Sequence, residues 1–169
     1  MKIVNKSYSK IDGKGLVEGK PVYTDDLAPK DALIVKILRS PHAFARIKDI
    51  NTKIAEKIPG VECILTYKDI ERRPFTRAGQ CYPELSPYDK FILDEYVRHV
   101  GDEVAIIAAT DEKTATKAMK LIKVDYEILE PVLNYEEADG HPSLVHPEED
   151  SFAMVDVGFD KDRNIACQV

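Results

Sequence analysis

The sequence predicts an α+β domain, on three observations. Short apolar runs of strand length recur between turn signals, one stretch carries a clear helical stripe, and the strands outnumber the helices. The half-domain from Leu33 to Ile70 sets the frame. Leu33, Val35 and Ile37 alternate with Ala32, Ile34 and Leu38, the pattern of a strand buried on most of both faces. Pro41 within Arg39-Ser40-Pro41-His42 cannot donate to a ladder and biases Ser40 away from the helical region, so the chain turns there. From Phe44 to Ile50, Ala45 and Ile47 alternate with Arg46 and Lys48, which predicts a strand with one wet face. Asn51-Thr52 are capping types ahead of Ile54, Ala55 and Ile58, a short helix stopped by Pro59-Gly60. Val61 to Thr66 is a third strand.

The second half supplies the other elements. Val104 to Ala109 is a continuous apolar run and predicts a central, covered strand. Thr110-Asp111-Glu112 starts a helix whose core stripe is Ala115, Ala118, Met119 and Ile122. Val124, Tyr126 and Ile128 alternate with Asp125 and Glu127, an amphipathic strand, and Glu136-Glu137-Ala138 suggests a further short helix. Residues 71–96, with Arg72, Arg73, Arg77 and several prolines and tyrosines, predict a long irregular connection that contacts a partner or ligand.

With 169 residues the chain buries enough surface to need no staple. The formal net charge of −6, with acids and bases interleaved, argues against nucleic acid and anionic membrane. No apolar run has the length of a signal-peptide core or a membrane span, so a cytoplasmic location is the expectation. Cys63, Cys81 and Cys167 fit neither a disulfide framework nor a metal ligand set, and Cys63 reads as a small core residue.

The candidate chemistry is thin. Gly13, Gly15 and Gly19-Lys20 miss the phosphate-loop spacing and the dinucleotide fingerprint, leaving a flexible linker. Asp160, Asp162 and Asn164 match the first three positions of a calcium loop, but Ile165 stands where its glycine belongs, which favours a solvated turn. His42 on its tight turn, with Asp25 or Asp26, is the only acid–base pairing to weigh, and a structural loop imidazole is favoured. The Arg72, Arg73 and Arg77 group clamps an anion or is simply solvated. No catalytic, cofactor-binding or metal-binding residue is assigned.

Further signals fall in a fixed order along the chain: Gly19 through Tyr23 with Asp26, Arg39-Ser40-Pro41-His42-Ala43, Ala45-Arg46-Ile47, Pro59-Gly60-Val61, Leu65-Thr66 with Asp69-Ile70, Val97 to Gly101 with Val104-Ala105, Ala115 and Ala118, Val124 to Glu127 with Pro131-Val132, and Glu137-Ala138. This series resembles the α/β-hammerhead domain of the molybdopterin-binding large subunit of the xanthine dehydrogenase and aldehyde oxidase family. Phe44 and Glu103 depart from it, standing where many relatives have histidine and proline.

The resemblance implies a mixed sheet with two main helices. It divides the chain into a flexible lead-in at 1–18, the hammerhead at 19–147, and a linker with the start of an absent domain at 148–169. It also implies a parent enzyme that hydroxylates a purine, aldehyde or N-heterocycle with water-derived oxygen, using molybdopterin-molybdenum, iron–sulfur clusters and FAD held elsewhere. The expected partners are the remaining large-subunit domains and the iron–sulfur and flavin domains or subunits. The expected role is structural, inactive in isolation, with an apolar patch and self-association around Phe75, Tyr82, Tyr88 and Phe91. The alternative is a free-standing acidic binding module that uses loop 71–96.

Overall fold

The computed structural model describes residues 4–20, 23–77, 79 and 82–168, without the side chains of Asp25 and Asp26. The chain divides into two units, residues 1–32 and 33–169. The first holds two short helices, α1 (Gly13–Val17) and α2 (Thr24–Leu27). The glycine-rich stretch thus coils into a single turn, where an extended lead-in was expected; Glu18 N–H closes it on Lys14 O at 3.0 Å.

The second unit carries β1 (Ile34–Arg39), β2 (Ala45–Asn51), β3 (Val61–Thr66), β4 (Tyr96–Val97), β5 (Glu103–Ala109), α3 (Glu112–Leu121) and β6 (Lys123–Ile128). These form two three-stranded sheets, in the orders β1-β5-β3 and β4-β2-β6. Every pairing is antiparallel, so the sheet is split and not mixed. The reason lies in the strand–helix–strand run: α3 carries the chain from β5 in one sheet to β6 in the other, where β6 pairs with β2. Of the two main helices expected, only α3 forms. Residues 52–58 make a turn with one i→i+4 bond, Glu56 N to Thr52 O, because Pro59-Gly60 ends the run too soon for a helix to propagate.

One core joins both sheets. Ala45, Ile47 and Ile50 of β2, Val97 of β4, Val104, Ala105 and Ile107 of β5, and Ala118 and Ile122 at α3 form a single buried cluster. The alanines Ala115 and Ala118 are fully buried on α3, which packs on β1, β5 and β3. Asp111 caps that helix as its composition predicts, its side chain accepting Thr114 N at 2.9 Å.

Bulges decide which side chains turn inward. In β2, Ile47 pairs with Tyr126 and Asp49 with Asp125, so Lys48 is the extra residue and Ile50 joins Ala45 and Ile47 inside. In β3 the shift falls between Val61 and Cys63, and Cys63 is exposed where a core position was expected. β1 is an edge strand paired only with β5, which leaves Ile34 and Val35 exposed where burial on both faces was expected. Gly60 holds φ +90°, and a Cβ there would stand 2.6 Å from Thr110 Oγ1, so no other residue fits the turn before β3.

Candidate functional site

The polar residues that converge are not those that stand out in the sequence. Around β4, Arg98 gathers three segments. Its Nε donates to Val145 O at 2.9 Å, one terminal nitrogen donates to Asp94 Oδ2 at 2.8 Å, and the other pairs with Glu148. Arg72 meets the same group, donating from Nε to Asp94 Oδ1 at 3.2 Å and pairing with Asp150, while its guanidinium lies 3.7 Å from the centroid of the Phe91 ring. Beside this, Lys90 bridges the buried Asp102 and Glu103. Asp102 also accepts Arg98 N at 2.8 Å.

The electrostatics follow from this packing. Burial alone would raise the Asp94 carboxyl, but the charges and hydrogen bonds of Arg98 and Arg72 outweigh it and hold Asp94 below the usual range. Burial opposes ionisation of Glu103 too, and Lys90 and Arg39 overcome it, holding Glu103 at about 2. His146 has no compensating bond. Burial, reinforced by Arg98, pushes it down to about 4, with Asp89 Oδ2 4.0 Å from Nε2 and Glu148 Oε2 3.8 Å from Nδ1. Burial pushes Asp89 up.

Asp89, Asp94, Glu103 and His146 line a cleft of about 310 Å³ together with Arg77, Lys90, Arg98, His99 and Asp102. Its cations are largely committed to its own carboxylates, so it behaves as an internal ion network that ties loop 71–96 to residues 145–150. A second depression, about 410 Å³, lies on the other side of His146 and Asp89, lined mostly by Val132, Leu133, Tyr135, Val145, Phe159 and Ile165.

Ser40 Oγ accepts His42 N and donates to His42 O, both at 3.0 Å, and the His42 ring packs edge-on against Tyr126, so His42 is built into its turn. Its proposed partners Asp25 and Asp26 lie outside the described side chains. The three arginines part company: Arg73 pairs with Glu71 in solvent, Arg72 enters the ion network and Arg77 lines the cleft.

Among the described residues, the four aromatic residues expected to form an apolar patch are not all exposed. Phe91 is buried, and Tyr88 stacks on Phe152 at 4.9 Å between centroids; Tyr82 alone is fully exposed among the described residues of that group. Backbone bridges Phe75–Lys90 and Tyr88–Phe152 give the loop an order that its composition concealed.

Asp160 Oδ1 accepts Asp162 N within its own turn. Asn164, at φ +59°, accepts Val145 N at 2.8 Å and donates to Ala138 O and Ser143 O. Among the described residues no group of His, Cys, Asp or Glu could hold a metal ion, and no helix is long and apolar enough to cross a membrane. Cys81 lies outside the described residues.

Two antiparallel sheets bridged by one helix, with an ion-tied loop laid beside them, match a known domain. Residues 18–130 fit the family described as aldehyde oxidase and xanthine dehydrogenase, a/b hammerhead domain. The chain belongs to that family. It is 40% identical over 149 residues to a probable hypoxanthine oxidase, XdhD, of Escherichia coli K12, covering 88% of this chain and 16% of that protein. It is 37% identical over 133 residues to the xanthine dehydrogenase molybdenum-binding subunit of Escherichia coli O157:H7, covering 76% of this chain and 18% of the subunit. The aldehyde oxidoreductase of Desulfovibrio desulfuricans superposes with a TM-score of 0.68 at 26% identity, over 86% of this chain and 17% of that one. The hammerhead chain thus spans about one sixth of the length of the relatives it matches.

Proposed function

We propose that this hammerhead chain is a structural and interface domain of a molybdenum hydroxylase of the xanthine dehydrogenase type, without catalytic activity alone. The observation that carries the reading is the extent of the match: nearly the whole chain aligns with only 16% of the hypoxanthine oxidase relative. The parent enzyme hydroxylates a purine, aldehyde or N-heterocycle with oxygen from water, and the purine oxidases among the relatives favour a purine. Molybdopterin, iron–sulfur clusters and FAD belong to the other domains or subunits. The described residues offer no metal-holding group.

In this reading residues 19–147 form the hammerhead, 1–18 lead into it and 148–169 lead out. The internal pairing of Arg72, Lys90 and Arg98 supports a scaffold role, since it leaves little charge for a ligand. The test is to purify the chain alone and co-expressed with the remaining large-subunit, iron–sulfur and flavin sequences, then assay hypoxanthine, xanthine and an aldehyde with a dye acceptor. Turnover is expected only in the assembly. Purine oxidation by the isolated chain, or failure to join the assembly, overturns the reading.

A further inference from the structure

Among the described residues of 33–169, the apolar depression beside His146 stands open. Val132, Val145, Phe159 and Ile165 form its walls, and Leu133 and Tyr135 line it while remaining 82% and 86% exposed. Two large apolar side chains held in solvent at a groove mark an interaction surface more often than a chance arrangement. The walls are fixed before anything binds. Asn164 spans Ala138, Ser143 and Val145 with its side-chain bonds, and Arg163 holds Asp139 through two nitrogens at 2.9 and 2.6 Å.

We infer that this groove seats apolar side chains from the part of the large-subunit polypeptide that lies outside residues 1–169, with Leu133 and Tyr135 as anchors. This rests on the functional reading above and names its contact surface. The extent of the match selects that occupant. The matched region is 16% of the hypoxanthine oxidase relative, so most of such a subunit is available to cover it. The lining is apolar apart from Asp89, His146, Lys161 and Asn164, and Asn164 and Lys161 are already bonded to backbone carbonyls, which favours an aliphatic or aromatic segment over a charged one.

The test is amide hydrogen exchange on residues 132–138 and 159–166 in the chain alone and in its assembly with the rest of the large subunit. Assembly is expected to slow exchange there at least about tenfold, the factor that about 1.4 kcal/mol of added protection gives. Leu133→Glu with Tyr135→Glu is expected to abolish that protection and weaken assembly; both positions are solvent-exposed, so the fold is retained. Assembly with protection elsewhere but none at the groove overturns this inference and leaves the functional reading standing. No assembly at all overturns that reading, and this inference with it. A concentration-dependent dimer of the isolated chain that the same substitutions dissolve assigns the groove to a second copy, which also overturns the inference.

Discussion

The two halves of the hammerhead chain are held by different forces. Around β5, the residues that matter are Ile47, Val97, Val104 and Ile107, all essentially without solvent exposure, and what holds them is the removal of apolar surface from water. Across the described residues of the loop at 71–96 and the segment at 138–168, buried apolar residues thin to Phe91 and Leu93, beside the Tyr88–Phe152 stack. There the chain is tied by Arg72, Lys90, Arg98 and Asn164. The first force needs only a pattern and the right volumes. The second needs particular partners, and losing one leaves the others buried and unpaired.

The sharpest way to break that contrast is Arg98→Ala. The substitution leaves Asp94 and Glu148, whose side chains are 8% and 14% exposed, with Arg72 as their one remaining guanidinium partner, and frees Val145 O. A loss of about 3–5 kcal/mol is expected. Arg98→Met, which keeps the stem but not the charge, should recover little of it. A urea midpoint within experimental error of the parent would show that the network is surface decoration.

Next comes Ile107→Ala, which empties part of the core between the sheets. Ile107 has no solvent exposure and faces Lys36 in β1 and Ile64 in β3 through the ladder. The expected cost is about 2–5 kcal/mol, with no change in the pH dependence of stability. If the comparison holds, hydrogen exchange in Ile107→Ala quickens throughout both sheets. In Arg98→Ala it quickens first at 71–95 and 145–150.

These two substitutions also mark what was legible in the sequence. β2, β3, β5, α3 and β6 could be read almost residue for residue, because burial imprints its period on the side-chain order. Cys63 and Val35 could not, nor the bulge at Lys48, whose exposure the pattern does give: each depends on a bulge or on a sheet edge, which are facts of pairing and not of pattern. The ion network was hidden for a related reason. In the sequence Arg98 stands only within the Val97 to Gly101 family signal, and Arg72 within a group that clamps an anion or is simply solvated. Glu148 and Asp150 lie about fifty and eighty positions away from those arginines in the chain. The one cue is the length of loop 71–96, an irregular connection too long to be filler. Asn164 was noticed as a calcium-type ligand; its side chain instead accepts one backbone bond and donates two.

The smallest expected effect is the most diagnostic, because acid should separate the two regions without any substitution. His146 sits at about 4 in the folded chain against an ordinary 6.5, with Asp89, Glu148, Arg98, Asp94, Asp102 and Lys90 around it. Between those values the unfolded chain binds the proton and the folded chain does not, so stability rises with pH across the window. The contribution is whole above pH 6.5 and is lost as the pH falls through about 4, a change on the order of 1–3 kcal/mol. Glu103 acts in the same direction but lower, between its ordinary 4.5 and about 2. Acid unfolding should therefore show two slopes, and His146→Gln should flatten the upper one and leave the lower. The buried core cluster holds no carboxylate or histidine among the described residues, so an acid-range pH profile of Ile107→Ala parallel to the parent's completes the test. If His146→Gln leaves the upper slope intact, the histidine titrates in contact with water and the segment at 145–150 is not packed as the ion network requires.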